Sequence, residues 1–446
     1  MKNKKFNIKT FGCQMNVYDS NKIADIFLNL GFKKTLSIED SDINIINTCH
    51  IRDKAKQKLY SELGKLYKLK KIRQKKNKKT VIIVAGCVAQ AEGREIFKRA
   101  PFVNIVVGSQ SYQKLSYLIR KELENNNKFI ELDFDPKSKF DDIPQANFNN
   151  KISSYLTIQE GCNKFCKFCV VPYTRGPEYS RPVNEILSEA ENLVDNGTKE
   201  IILLGQNVNA YHGKNKDDKE FNLGKLIYGL EKIKGLERIR YMTAHPKDMH
   251  DDLYDAHKNV KKLMPFLHLP IQSGSDKILK LMNRNYNVKD YLKIIDKIKK
   301  SRNDIAFSSD FIVGYPGETH KDFQKTLDIV DKIKYVQSFS FIYSPRPGTA
   351  AYNLKDRISN QEKKERLSVL QEKLKFYQEE FNKNFIRKKL SVLFNNSSKK
   401  RKNQNLGYSQ YMQLVRINNK KNLHGRIEEI KIEKSFYKSL EANLII

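Results

Sequence analysis

Nowhere along the 446 residues does an uninterrupted apolar stretch approach the ~18 residues that a membrane-spanning helix requires, so no membrane partner is expected. The Lys-rich start, Met1 to Lys5, leads into no apolar h-region, which predicts a cytoplasmic protein without a secretory leader. Phosphate-cradling glycine motifs are also missing: Gly314 and Gly317 do not make a G-x-G-x-x-G, and no Walker sequence occurs. Acidic residues are short relative to basic ones, 51 against 83, for a formal net charge of +32. A field of that sign favours a polyanionic partner through phosphate neutralisation and counterion release, and nucleic acid is the natural candidate. Part of the excess reflects a chain rich in Lys, Asn and Ile throughout, lysine being the usual residue of a solvated face. Its densest run, Lys65 to Lys79, begins with apolar helical spacing and ends as an exposed basic loop.

Cysteine is scarce, six in all, and the six fall into two triplets with none left over. Cys162, Cys166 and Cys169 form a tight C-x3-C-x2-C. Cys13, Cys49 and Cys87 lie far apart, yet each follows an apolar, strand-like run and a small residue, Gly12, Thr48 or Gly86. Three equivalent strand ends suggest one site. Three thiolates bind three irons of a four-iron, four-sulfur cluster and leave the fourth iron open, whereas a closed cluster uses four cysteines. Zinc is the alternative for the tight triplet, but it needs a fourth ligand, and the nearest histidines, His50 and His212, are distant in sequence. A disulfide framework belongs to small secreted domains and would leave one thiol over in each triplet.

Length predicts about three domains. Residues 1 to about 122 alternate strands near 6–11, 43–47, 81–85 and 103–107 with helices near 19–31, 52–70, 91–99 and 111–124, the pattern of a parallel sheet in an α/β layer fold. Ligands of such sheets collect beyond the carboxyl ends of the strands, where the three dispersed cysteines fall. A polar, Asn-rich segment, 125–147, reads as a linker. Strands near 153–159, 199–204, 238–243, 265–269, 306–312 and 337–343 follow, with loops carrying Gly205, Gln206, Asn207, His245, Gln272, Ser273, Asp310 and Gly314 gathered at their carboxyl ends. A long helix near 360–383 leads to five short strands near 390–394, 405–409, 412–417, 425–432 and 440–446, which indicate a small β-barrel or sandwich forming a separate unit.

Gly161-Cys-Asn-Lys-Phe-Cys-Lys-Phe-Cys169, with Phe168 before the last cysteine, resembles the radical S-adenosylmethionine signature. Val170 to Gly176 and Ser180-Arg-Pro182 resemble its methylthiotransferase branch. Thr10 to Ser20 and Asn47 to Ala55 are most similar to the MiaB-type tRNA methylthiotransferases that act on N6-isopentenyladenosine, and the similarity runs from about Lys5 to Ile446. The resemblance implies an N-terminal α/β domain at 1–124, a partial six-stranded β/α barrel at 148–380 and a TRAM-like, RNA-binding barrel at 381–446 with Lys399–Lys402 on a loop. It implies two 4Fe-4S clusters, one on Cys162, Cys166 and Cys169 that cleaves S-adenosylmethionine, and an auxiliary one on Cys13, Cys49 and Cys87 that carries methylated sulfur. The resemblance further implies two S-adenosylmethionine molecules per turnover. Phe168, Gly205, Gln206, Asn207, His245, Gln272, Ser273, Asp310 and Gly314 are expected around that cofactor. The implied partners are tRNA containing N6-isopentenyladenosine and an electron donor such as flavodoxin or ferredoxin, with the enzyme a monomer. Where the family has Gly-Arg-Thr or Gly-Arg-Ser, this chain has Gly407-Tyr408-Ser409, and base stacking by Tyr408 or a nearby lysine is the expected replacement for the missing arginine. Rival readings are methylthiotransferases of threonylcarbamoyladenosine or of a ribosomal-protein aspartate, and a non-catalytic RNA-binding metal protein.

Overall fold

In the computed structural model the described residues are 4–50, 53–134, 151–397, 403–419 and 421–444. The expected basic loop Lys399–Lys402 and most of the expected linker, 135–147, lie outside them. Two compact units divide the chain. The first comprises Met1–Phe148, Gln159–Asn163 and Val170–Arg181, and the second Asn149–Ile158, Lys164–Cys169 and Pro182–Ile446. Among the described residues no helix is long and apolar enough to cross a membrane.

Strands β1 (Lys5–Phe11), β2 (Lys33–Lys34), β3 (Ile43–Thr48), β4 (Val81–Ala85), β5 (Ile105–Val107) and β6 (Phe129–Glu131) form one all-parallel sheet in the order β2-β1-β3-β4-β5-β6. Its central strands are buried on both faces, which is why they read as unbroken Ile/Val runs. Ile43, Ile45 and Ile83 pack on one side with Phe6, Phe27 and Leu115, while Ile46, Ile82 and Val84 pack on the other with Leu59, Leu63 and Val88. Two expectations change here. The expected helix 91–99 is two helices, Cys87–Glu92 and Glu95–Arg99, broken at Gly93 with φ +50°. The expected linker begins with a sixth strand, because Phe129 to Glu131 pairs along β5.

In the second unit β7 (Ser153–Thr157) is followed by β10 (Glu200–Leu204), β13 (Arg238–Tyr241), β14 (Phe266–His268), β15 (Ala306–Ser308), β16 (Asp310–Val313) and β17 (Phe339–Ile342). The intervening β8 (Gln159–Glu160) and β9 (Tyr179–Ser180) pair antiparallel in the first unit, and β11 (His212–Lys214) with β12 (Glu220–Asn222) make a hairpin. Parallel pairs β7/β10, β10/β13, β14/β15 and β16/β17, with a single bridge from Ile239 to Leu263, arrange the six expected strand regions in sequence order. The strand expected over 306–312 is broken at Ser309, so Asp310 opens a second segment rather than ending the first.

Helix Asn360–Lys383 leads into β18 (Lys389–Ser397), β19 (Gln404–Ser409), β20 (Leu414–Asn418), β21 (Ile427–Phe436) and β22 (Ser439–Leu444), a closed barrel in the order β18-β19-β20-β22-β21. Gly407 lets β19 lie against β18, since a Cβ there would sit 2.6 Å from the Leu393 carbonyl. The expectation of a separate unit fails: Leu390, Val392, Phe394, Ile430 and Leu440 share one core with Phe266, Ala306 and Val336 of the larger barrel. Two buried arginines of β13 complete the junction. Arg238 donates to the carbonyls of Tyr408 (2.8 Å) and Ser391 (3.0 Å), and Arg240 to those of Gln410 (2.8 Å) and Ser409 (2.9 Å) while pairing with Glu200 at 2.7 Å.

Candidate functional site

The parallel register aligns the ends of three neighbouring strands in the first unit: Phe11 faces Thr48, and Asn47 faces Ala85. Cys13, Cys49 and Cys87 follow at once, so they leave the same sheet edge on strands about 4.8 Å apart. Backbone geometry fixes each. Gly12 has φ +131°, and a Cβ on it would lie 2.4 Å from the Cβ of Cys49; Gly86 has φ +93°, and a Cβ there would lie 2.3 Å from Asn47 Oδ1. Only glycine meets both demands. Cys13 precedes the helix Gln14–Asn29, which therefore starts five residues earlier than the expected 19 (19 − 14 = 5), and its N–H and Sγ both address Asn16 Oδ1, at 3.4 and 3.3 Å. Asn16 Nδ2 donates in turn to Asn47 Oδ1 (3.2 Å), and Asn47 Nδ2 to the Asn16 carbonyl (2.9 Å) and Ser20 Oγ (2.9 Å). The Asn residues following Cys13 and preceding Cys49 thus tie two strand ends together.

Arg175, almost wholly buried, reaches into this group. Its Nε donates to Cys87 Sγ at 3.3 Å, while its other nitrogens contact Asp19 at 2.6 Å and Glu160 at 3.4 Å. Gln110 donates to Glu160 (2.6 Å) and to the Arg175 carbonyl (2.9 Å), and Tyr112 donates to Asp19 (3.4 Å). Burial opposes the charge on Arg175, but Asp19, Cys87 and Glu160 outweigh it and hold the guanidinium firmly protonated. Burial raises the Cys87 thiol against the pull of Arg175. Cys13 is drawn down to about 6, first by the hydrogen bond from Cys49 and further by Arg175. All six cysteines are free thiols. Among the described residues no three His, Cys, Asp or Glu side chains gather on the position of a single metal ion. The dispersed donor set is thiols alone, which suits an iron–sulfur cluster.

Within the second unit, Cys166 and Cys169 sit in a turn closed by the Cys169 N–H on the Cys166 carbonyl at 2.9 Å. Cys162 groups with the first unit, where its N–H donates to the Gly176 carbonyl at 3.2 Å. Buried Arg284 donates to Cys166 Sγ at 3.5 Å, to Tyr286 Oη at 3.0 Å and to the Pro270 carbonyl at 2.8 Å. Phe168, half-buried, packs with Ile278, Met282, Tyr315 and Tyr343 and so anchors the cysteine loop in the core.

The loops at the carboxyl ends of the barrel strands hold the other expected residues. Gly205 O accepts from Thr243 Oγ1, and Asn207 Nδ2 donates to Asp248 at 2.8 Å, a carboxylate that also pairs with Lys164 at 2.7 Å. Gln206 lies half-buried between them. His245 Nδ1 accepts the Lys247 N–H at 3.2 Å, which puts the ring proton on Nε2, a buried atom without a hydrogen-bond partner among the described residues. Thr243 and Gln272 carry φ +68° and +77°, unusual for side chains of their kind, and Gly314 carries +69°. The non-glycine outliers Thr243 and Gln272, which follow β13 and β14, carry the kind of strain that accumulates at ligand sites. Ser273 behaves as a turn residue, its hydroxyl accepting the Ser275 N–H at 3.2 Å and meeting Thr326 at 3.4 Å. Asp310 lies 3.7 Å from His268 Nε2.

Arg175, Asp19, Glu160 and Arg284 were not expected as site residues. Arg175 stands inside the Val170–Gly176 segment and served only as a mark of resemblance; that it is buried with two carboxylates is a tertiary fact with no local pattern. Arg284 had one signal. It lies between Asn283 and Asn285, both at positive φ, in a tight turn where a long cation is unusual.

Residues 156–330 match the Radical SAM superfamily, and residues 5–108 match a family described as Uncharacterized protein family UPF0004. A curated relative from Rickettsia bellii (strain RML369-C), "tRNA-2-methylthio-N(6)-dimethylallyladenosine synthase", is 52% identical over 443 residues, 99% of each chain. One of the same name from Wolbachia pipientis subsp. Culex pipiens (strain wPip) is 55% identical over 410 residues, 92% of each chain. Among solved structures, the fold is similar to the radical S-adenosylmethionine methyltransferase TsrM from Kitasatospora setae, at TM-score 0.57 and 11% identity, covering 79% of this chain and 77% of that one. It is also similar to the cobalamin-dependent S-adenosylmethionine radical enzyme OxsB, at TM-score 0.55 and 12% identity, covering 82% and 56%.

Proposed function

The chain belongs to the tRNA-2-methylthio-N(6)-dimethylallyladenosine synthase family, and from that premise we propose that it converts N6-isopentenyladenosine at position 37 of tRNA, beside the anticodon, to the 2-methylthio derivative. It is a radical S-adenosylmethionine transferase that uses two 4Fe-4S clusters and S-adenosylmethionine. The observation that carries the reading is the division of six cysteines between a sheet edge and the loop after the first barrel strand, in a chain related end to end to these synthases. Replacing an aromatic hydrogen by sulfur lies outside acid–base chemistry; the clusters and S-adenosylmethionine supply the radical and sulfur chemistry, and the protein supplies position and electrostatics.

Cys162, Cys166 and Cys169 would hold the cluster that takes S-adenosylmethionine. Cys13, Cys49 and Cys87 would hold the auxiliary one, with Gly12 and Gly86 allowing the close approach. The neutral His245, with its Nε2–H, would donate to an acceptor on the bound cofactor, and Asn207, held by Asp248, would orient its polar end. Gly205, Gln206, Gln272 and Gly314 follow the carboxyl ends of strands in the same unit, and Asp310 opens β16 beside them. The basic excess and the C-terminal barrel serve the tRNA backbone. An electron carrier of the flavodoxin or ferredoxin class, a monomeric state and a cytoplasmic location complete the proposal.

Nucleoside mass spectrometry of tRNA from a strain lacking the gene tests it. Loss of the 2-methylthio group from isopentenyladenosine alone is expected. Loss from threonylcarbamoyladenosine instead, or no change in either nucleoside, would overturn the assignment.

A further inference from the structure

Two phenylalanines stand exposed on the last strand of the larger barrel, Phe339 by 50% and Phe341 by 42%, although rings of this kind are ordinarily buried. Strand β17 pairs with β16 in register, Asp310 beside Phe339 and Ile312 beside Phe341, so these four side chains share one face. Phe311 and Val313, the alternate residues of β16, are wholly buried on the other. Among the described residues β17 pairs with β16 alone, which makes it an edge strand. Edges are usually blunted with charge; this one carries aromatic surface. Polar groups border that surface at one end. Asp310, its side chain 32% exposed, lies 3.7 Å from His268, whose ring meets Phe339 edge-on at 6.5 Å between centroids. At the other end Ile312 packs on the Ile278, Met282, Tyr315 and Tyr343 cluster that also anchors Phe168, one residue before Cys169. The apolar wall is thus continuous, through that cluster, with the cysteine loop of the same unit.

We propose that Phe339 and Phe341, with Ile312, receive the isopentenyl group of the substrate adenosine, and that Asp310 faces its N6. The inference rests on the isopentenyladenosine reading above and names the residues that select that substrate. An isopentenyl group is branched, apolar and without a hydrogen-bonding atom, so it gains by covering exposed aromatic surface. The N6 that bears it keeps one N–H, which a carboxylate accepts. Threonylcarbamoyl, by contrast, ends in a carboxylate that the phenylalanines cannot solvate and that Asp310 repels. The wall therefore selects by fit and by exclusion together.

The test is equilibrium binding by the full-length, cluster-loaded protein of one tRNA prepared in three forms, with isopentenyladenosine, threonylcarbamoyladenosine or unmodified adenosine beside the anticodon. Reductant is withheld, so no turnover intervenes. The unaltered protein is expected to bind the isopentenyl form at least about tenfold more tightly than the unmodified one, the scale on which an apolar pocket senses added methylenes. Phe339→Ala and Phe341→Ala should each remove most of that preference, and Phe341→Leu, which keeps apolar surface, should retain it. Asp310→Asn should narrow the gap between the isopentenyl and threonylcarbamoyl forms. Iron content and circular dichroism confirm that each variant is folded and loaded. Equal affinity of the unaltered protein for the isopentenyl and unmodified forms, or an undiminished preference in the loaded alanine variants, would overturn the proposal. So would a preference left intact while S-adenosylmethionine binding weakens, which would assign the wall to the cofactor. Tightest binding of the threonylcarbamoyl form by the unaltered protein would instead overturn the substrate reading.

Discussion

The ring proton of His245 sits on Nε2, and burial first, then the charge of Arg284, pushes the imidazole down to about 2. The side chain is therefore a neutral donor across any workable assay range. His245→Gln, which keeps an N–H donor, should hold the KM for S-adenosylmethionine near its original value, whereas His245→Ala should raise it roughly tenfold, the cost of one buried hydrogen bond at about 1–3 kcal/mol. Neither should remove an inflection between pH 6 and 9 from the activity profile, and finding that His245→Ala does so would refute the neutral role. Folding linkage has a definite sign here. A histidine kept neutral in the fold takes up a proton when unfolded, so its contribution declines as pH falls through its ordinary value near 6.5. The cysteines separate by role. Cys166→Ala should abolish 5′-deoxyadenosine formation, and Cys49→Ala should spare some of it while abolishing methylthio product; each should lower iron content by about half, as two equal four-iron sites require.

At the level of elements, the two glycines before the sheet-edge cysteines leave no room for a Cβ. Gly86→Ala must accommodate a Cβ 2.3 Å from Asn47 Oδ1 at φ +93°, and the unfavourable backbone alone costs about 1–2 kcal/mol. Loss of roughly half the iron is expected with cofactor cleavage retained, because the disturbed strand end belongs to the auxiliary set; iron analysis alongside deoxyadenosine quantitation checks it. The strands that hold these residues were legible because their order is local. Val81 to Ala85 is an unbroken apolar run, and the small residue and cysteine after it mark the sheet edge. Where the pattern misled, tertiary pairing decided. Phe129 to Glu131 stands in a polar stretch and becomes strand only because β5 offers an edge, and Ser309 interrupts an apolar run whose two halves pair with different neighbours. Partners separated by a hundred residues or more, such as Arg175 with Asp19 or Arg284 with Cys166, leave no periodic trace in sequence.

Across the whole molecule, the shared core between the two barrels changes what a truncation means. Removing the chain from Lys389 onward would expose Phe266, Ala306 and Val336 and strip Arg238 and Arg240 of their carbonyl acceptors, so loss of folding is expected rather than a clean loss of tRNA affinity. The charge hypothesis is better tested in the intact protein. tRNA affinity should fall with salt at a log-log slope of a few units, each neutralised phosphate contributing roughly 0.7–0.9, and a flat response would make the +32 charge compositional. Glu200 adds an acid limit. Burial would raise its carboxyl, but Arg240 holds it below the ordinary value, so its contribution is complete above the unfolded value near 4.5 and is lost as pH falls through the lower folded one. The same junction bears on how the protein is made. Synthesis runs at about 5–20 residues per second and the strands from Lys389 to Leu444 leave the ribosome well after β13, so for some seconds Arg238 and Arg240 face an uncapped barrel floor. Until those five strands arrive, the newborn barrel exposes Phe266, Ala306 and Val336, apolar surface that invites aggregation during synthesis.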